Sequence, residues 1–177
     1  MSTITFVTGG CRSGKSSYAQ RYAESVGPAR VYLATSQALD DEMRKRIDAH
    51  QASRGQGWTT VEEPLDIVPA LLSASQHADV VLLDCVTLWV TNCLMAGMDD
   101  EDVFARTNDL VRALDDLPCA VVIVSNEVGS GIVPEHALAR RFRDLTGAVN
   151  QRLAACASTV VLSVSGIPLA VKGELPL

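Results

Sequence analysis

Ile4-Thr5-Phe6-Val7-Thr8-Gly9-Gly10-Cys11-Arg12-Ser13-Gly14-Lys15-Ser16 stands near the amino end of the chain, and its reading decides the fold. Residues 4–7 form a short apolar β-type run. Gly9 to Ser16 fit the pattern G-x-x-x-x-G-K-[ST] in full, and helical spacing follows over 16–25. Strand, glycine-rich turn and helix together are the context in which this pattern cradles phosphates. The glycines let the backbone turn tightly and point N–H groups inward, and the helix N-terminus adds its positive end. Lys15 is placed to reach the β- and γ-phosphates of ATP or GTP, and Ser16 to ligate Mg²⁺. Cys11, inside the loop, reads as a small residue filling a tight turn. A helix N-terminus can also lower a thiol pKa and sensitise it to oxidation.

Outward from this loop, apolar runs recur at 31–34, 80–83, 120–124 and 160–164. Each is nearly continuous in apolarity, as expected of strands buried on both faces. Stretches with helical spacing lie between them, at 65–75, 100–116 and 134–156. The last carries the apolar stripe Leu138, Phe142, Leu145, Val149 and Leu153, with Pro134 suited to its first turn. Strands alternating with helices predict a mostly parallel sheet covered on both faces. The run 80–83 ends in Asp84, which the sheet would place at its carboxyl edge beside the phosphate loop. A second Mg²⁺-organising carboxylate belongs there, although a strand-ending Asp that caps the next turn reads the same way.

The 177 residues suit a single domain, and 47 % apolar with 20 % charged residues is a globular composition. A net charge of −6 argues against a nucleic-acid surface, so anion binding should be local. Five widely spaced cysteines without a C-x-x-C pair argue against a zinc knuckle. They suit a reducing, cytoplasmic setting. No apolar run approaches the length of a membrane span. Residues 53–57 read as a surface loop, and the tail 172–177 as loosely held.

The segment 36–63 is not that of a generic kinase. Asp40-Asp41-Glu42-Met43 opens a helix with acidic residues in its first turn, and Met43, Ile47 and His50 follow at helical spacing. Arg46 and Arg54 stand four residues either side of His50, so a continuing helix would put all three on one face. Spacing alone fits two readings. His50 is a half-buried residue beside solvated arginines, or it is a nucleophile kept neutral by flanking cations that also bind a triphosphate.

The chain closely resembles the bifunctional adenosylcobinamide kinase / adenosylcobinamide-phosphate guanylyltransferase family of cobalamin biosynthesis. The resemblance is carried by TGGCRSGKS (8–16), YLATSQALDDEMRKRIDAH (32–50), WTTVEEP (58–64), LLDCVTLWVTN (82–92), SNEVGSGIVPE (125–135) and LARRFRDLTGAVNQRLA (138–154). DDEM…RI-x-x-H combined with NEVG-x-GIVP is its specific part; the phosphate loop alone is common. The resemblance implies an α/β, P-loop NTPase-like (RecA-like) fold. It implies phosphorylation of adenosylcobinamide by ATP or GTP, then GMP transfer from GTP to adenosylcobinamide-phosphate through a guanylyl-histidine at His50. By the same matching, nucleotide contacts fall on Gly9, Gly10, Cys11, Arg12, Ser13, Gly14, Lys15, Ser16, Ala34, Thr35, Ser36, Gln51, Ala52, Ser53, Arg54, Glu62 and Asp84. Glu62 competes with Glu63 in the alignment of that loop. Members of the family often carry Arg-Pro where this chain has Arg54-Gly55, so the loop is freer here. Structures of the family are trimeric, and a homo-oligomer is expected.

Residues 125–129 follow a buried strand, which puts Asn126 and Glu127 on the active edge, where they fit a contact to a corrinoid side chain, a contact to a Mg²⁺-bound water, or a satisfied turn. Arg140, Arg141 and Arg143 read as a solvated helix face or as the source of one phosphate contact, His77 and His136 as structural or exposed. Leu88-Trp89-Val90 is core or a subunit contact, and Asn150 and Gln151 match the family without an evident chemical role. Two other functions compete. One is a small-molecule kinase without nucleotidyl transfer, in which His50 is structural. The other is a GTP-switched binding module, disfavoured because no N-K-x-D motif occurs.

Overall fold

The structure, a computed structural model, describes residues 3–37 and 54–177. Seven strands form one sheet: β1 (Ile4–Gly9), β2 (Arg30–Ala34), β3 (Trp58–Glu62), β4 (Val80–Asp84), β5 (Ala120–Asn126), β6 (Thr159–Val164) and β7 (Ile167–Lys172). Their spatial order is β3-β2-β4-β5-β1-β6-β7. All neighbours pair in parallel except β6 with β7. The helices are α1 (Lys15–Val26), α2 (Ile67–Ser75), α3 (Val86–Met95), α4 (Asp100–Asp115) and α5 (Ala137–Cys156). This is the doubly covered α/β architecture of a P-loop NTPase.

The continuous apolarity of the central strands follows from this burial. Successive side chains of a strand point to opposite faces. Along β4, Val80 and Leu82 therefore join the core under α1, formed with Tyr18, Ala19 and Ala23. Val81 and Leu83 join the larger core under the other four helices. Along β5, Val122 and Val124 face α1 while Val121 and Ile123 face the other side. Neither register leaves a place for a polar residue until the carboxyl ends.

Several elements differ from the sequence expectation, each for a physical reason. β3 and β7 are edge strands, half-open to solvent, and carry no buried apolar run. β7 follows a two-residue turn with positive φ at Ser165 (51°) and Gly166 (86°), the geometry of a tight hairpin. Residues up to Lys172 are therefore part of the sheet. α3 was not apparent from periodicity because it is apolar around most of its circumference. In it Trp89 is fully buried and its indole N–H donates to the Leu65 carbonyl at 2.9 Å, so it belongs to the core. α5 begins at Ala137 rather than at Pro134; Arg140 folds back to donate to the carbonyls of Pro134 and Glu135 ahead of the helix. α4 starts with a reciprocal capping box between Asp99 and Asp102. No helix among the described residues is long and apolar enough to cross a membrane.

Candidate active site

The carboxyl ends of β1, β2, β4 and β5 lie side by side, with Gly9 paired to Asn126 and Ala34 paired to Asp84. In an open parallel sheet this edge is where ligands bind. The loop from β1 to α1 crosses it. A side chain at Gly9 (φ 153°) would collide with the Ser163 carbonyl, and one at Gly14 (φ 90°) would come within 3.0 Å of the Gly166 backbone. Only glycine fits at both points. The loop is pinned from outside: the Ser13 carbonyl accepts from the Gly166 N–H (2.8 Å) and from the Ser163 hydroxyl (2.6 Å). The Gly9 carbonyl accepts from the Glu127 N–H at 3.0 Å. Gly14 is the N-cap of α1 and supplies no capping side chain, so the first amides of the helix are free for an anion. Lys15 Nζ donates to the Gly10 carbonyl across the loop, at 3.2 Å.

Beside the loop opens a cavity of about 410 Å³. Its walls include the predicted residues Arg12, Ser13, Gly14, Lys15, Ser16, Ala34, Ser36, Arg54, Glu62 and Asp84, joined by Ser17, Tyr32, Thr60, Cys85, Leu88 and Asn126. Gly9, Gly10 and Cys11 shape the loop without lining the cavity. Thr35 stands behind the wall. Its buried hydroxyl donates to the Cys85 carbonyl (2.8 Å) and accepts from the Cys85 N–H (3.0 Å), while its carbonyl accepts from Asn92. Thr35 thus holds the turn that follows Asp84. Glu62 and Glu63 part company: Glu62 lines the cavity, whereas the Glu63 carboxylate accepts from the N–H groups of Leu65 and Asp66 and shapes the turn into α2. His50, Gln51, Ala52 and Ser53 lie outside the described residues, as does Arg46.

Tyr32 was not foreseen. Its hydroxyl donates to Asp84 Oδ2 at 3.1 Å, the Arg54 guanidinium lies 3.7 Å from its ring centre, and Trp58 meets it edge-on. Burial, and then the Asp84 carboxylate, push the phenol pKa well above its ordinary value, so Tyr32 keeps its proton and remains a donor. Burial and Asp84 likewise push the Cys85 thiol up to about 12. Asn150, on α5, receives a role from contacts across 24 and 25 residues: it donates to the Asn126 carbonyl and accepts from the Ser125 hydroxyl. No local pattern could have signalled either residue. None of the α5 arginines lines the cavity; Arg141 pairs with Asp100 at 2.6 Å.

A phosphate loop, a strand-end carboxylate and a second cationic wall at Arg54 therefore surround one cavity. The sequence profile of the cobinamide kinase / cobinamide phosphate guanyltransferase family matches residues 5–171. The chain belongs to this family. It is 44 % identical over 181 residues to the bifunctional adenosylcobalamin biosynthesis protein CobU of Escherichia coli K12, spanning 96 % of this chain and 99 % of that one. It is 44 % identical over 185 residues to the CobU protein of Salmonella typhimurium LT2, with the same coverage of both chains. It is 41 % identical over 168 residues to the bifunctional protein CobP of Pseudomonas aeruginosa, spanning 95 % and 96 %. Similarity over whole chains places this member of the cobinamide kinase / cobinamide phosphate guanyltransferase family beside relatives of its own length.

Proposed function

We propose that this one cavity serves both reactions of the family: phosphorylation of adenosylcobinamide by ATP or GTP, and transfer of GMP from GTP to adenosylcobinamide-phosphate. The observation that carries the reading is the convergence of Lys15, Ser16, Asp84, Arg54 and Glu62 on one cavity at the sheet's carboxyl edge. The α1 amides and Lys15 hold the triphosphate. In the first reaction they neutralise the charge that develops as the γ-phosphoryl group moves to the aminopropanol hydroxyl. Arg54 adds a planar donor fork for phosphate on the opposite wall, held by its stack on Tyr32. Glu62 is an acceptor suited to the guanine N–H edge.

In the second reaction His50 is the nucleophile. A bond forms between an imidazole nitrogen and the α-phosphorus, the bond to the α,β-bridging oxygen breaks, and pyrophosphate leaves. The phosphate oxygen of adenosylcobinamide-phosphate then attacks the same phosphorus and displaces the imidazole, giving adenosylcobinamide-GDP. A covalent intermediate divides one hard displacement into two easier ones.

The Ser16 hydroxyl and the Asp84 carboxylate are hard oxygen donors on the same cavity, and Tyr32 occupies only Oδ2 of Asp84, so the set fits Mg²⁺. When bound, Mg²⁺ would neutralise phosphate charge. The five cysteines, none in a disulfide, suit a reducing cytoplasm. A homo-oligomer, as a trimer, would extend the wall available to a corrinoid that is large relative to this chain.

The test is to incubate the protein with Mg²⁺ and GTP labelled at the α- or the γ-phosphate, denature it and count the label retained. Acid-labile retention from α but not γ, absent in His50→Ala, is expected. Equal retention in His50→Ala would remove His50 from the reaction.

A further inference from the structure

Asn126 is fixed more firmly than its place at a strand end requires. Its N–H donates to Thr87 Oγ1 at 2.6 Å, its carbonyl accepts from Asn150 Nδ2 at 3.1 Å, and the next N–H, of Glu127, reaches the Gly9 carbonyl at 3.0 Å. Behind it the buried Ser125 hydroxyl donates to Asn150 Oδ1 at 2.7 Å and lies 3.2 Å from Thr87 Oγ1. Side chains from α3, β5 and α5 thus converge to hold one backbone residue. The register places it next to the phosphate loop, because β5 continues past Val124, the partner of Asp84, to reach Asn126 opposite Gly9.

The carboxamide of Asn126 itself makes no hydrogen bond among the described residues. It lines the cavity shared with Lys15, Ser16 and Asp84. A half-buried amide that offers both a donor and an acceptor, held rigidly and left without a partner, is matched to a ligand. The ligand pair needing both at this point is a hydroxyl, which donates, beside a phosphoryl oxygen, which accepts. A carboxylate here would repel the triphosphate, and a lysine could not accept from a hydroxyl.

We propose that Asn126 is a catalytic residue of the phosphoryl-transfer half-reaction. Oδ1 accepts the hydrogen bond of the acceptor hydroxyl while Nδ2 donates to a γ-phosphoryl oxygen, which holds the two in line. The acceptor oxygen bonds to the γ-phosphorus as the bond to the β,γ-bridging oxygen breaks, and that electron pair leaves with the nucleoside diphosphate. The hydroxyl proton passes to solvent, because an amide has no basic pair to keep it. GMP transfer brings a phosphate rather than a hydroxyl to the α-phosphorus and does not need this contact. The assignment rests on the cavity being the kinase site.

The experiment compares Asn126→Ala and the isosteric Asn126→Asp with the unmodified protein in three measurements. These are γ-phosphate transfer to adenosylcobinamide at saturating acceptor, retention of α-label from GTP, and the Kd for Mg²⁺-GTP by equilibrium dialysis. For Asn126→Ala, kcat of the kinase reaction should fall roughly 10²-fold, the scale of one preorganised donor, while the lost γ-phosphate contact raises the Kd by no more than about tenfold and α-label is still retained at saturating GTP. Asn126→Asp keeps the shape and should also lose kinase turnover, which guards against misfolding of the alanine variant. Kinase kcat within about threefold of the unmodified protein overturns the proposal. Loss of α-label retention at saturating GTP alongside the loss of kinase turnover in Asn126→Ala does so as well, since that is the signature of a merely structural residue. Absence of γ-transfer in the unmodified protein would instead overturn the kinase reading of the cavity, and this proposal with it.

Discussion

At the scale of single residues, charge and its orientation divide the site. On the proposed reading Lys15 is the phosphate-loop cation that meets the triphosphate, and Lys15→Ala should slow both phosphoryl and GMP transfer by ~10²-fold or more, because stabilisation of triphosphate charge is lost in each. Assays of the two half-reactions check this, and normal rates in both would sink the phosphate-loop assignment. Tyr32 acts through Asp84. Tyr32→Phe removes the hydroxyl that donates to Oδ2, so the Mg²⁺ concentration for half-maximal nucleotide binding should rise by about 3- to 10-fold, the smaller part of what a hydrogen bond to a charged group is worth. Titration of Mg²⁺ against GTP binding reads it directly. The thiols separate by the same logic. Cys11 is exposed in the loop, whereas burial and Asp84 hold Cys85 protonated up to about 12. At about pH 8 an alkylating reagent should modify Cys11 first and be slowed by GTP, leaving Cys85 intact until the chain unfolds. Early modification of Cys85, followed by mass spectrometry, would contradict its burial. The motif residues Lys15 and Ser16 and the strand-end Asp84 could be read from the sequence, because their spacing is local. Tyr32 and Asn150 could not, because the partner of Tyr32 stands 52 residues away and those of Asn150 24 and 25.

Secondary-structure elements were legible where burial is symmetrical. β1, β2, β4, β5 and β6 are flanked by strands on both sides, and their apolar runs say so. β3 and β7 stand at the edges, where exposure thins the pattern, and α3 is too uniformly apolar for a period to show. The hairpin of β6 and β7 has a function that sequence could not indicate: it clamps the phosphate loop through two donors to one carbonyl, that of Ser13. Ser163→Ala removes one of them and leaves the Gly166 N–H in place. The loss should be about 1 kcal/mol, the usual net contribution of such a bond, or a fall of roughly 2–4 °C in Tm for a chain of this size. GTP affinity should drop a few-fold with it, since the loop presents the α1 amides. Calorimetry and equilibrium dialysis on one preparation measure both. An unchanged Kd alongside a lowered Tm would mean that the clamp stabilises the sheet without shaping the loop.

For the whole molecule, the two ends of the sheet are treated differently. At one end β3 gives Thr60 and Glu62 to the wall of the site, and its Trp58 packs edge-on against Tyr32 of β2. At the other, β7 alternates Ile167, Leu169 and Val171, exposed by 63 %, 48 % and 65 %, along a strand with no further neighbour among the described residues. Val164, 47 % exposed, lies beside them through its pairing with Ile167. Edge strands of lone molecules are usually guarded by charge, and an apolar stripe of this kind marks a contact surface. If a second copy of the chain covers it, Leu169→Lys with Val171→Lys should shift the protein from an oligomer to a monomer. GTP affinity should stay within about threefold, because the clamp on the phosphate loop comes from Ser163 and from the backbone of Gly166, not from these side chains. Light scattering at working concentration reads the mass of both proteins. A double-lysine protein that remains an oligomer would move the subunit contact elsewhere, and a monomeric unmodified protein would leave β7 a bare edge. A corrinoid acceptor pocket shared between subunits adds a further expectation to the same preparation: the monomer should guanylylate itself normally yet show a raised KM for adenosylcobinamide. A monomer with unchanged KM would confine the acceptor pocket to one chain.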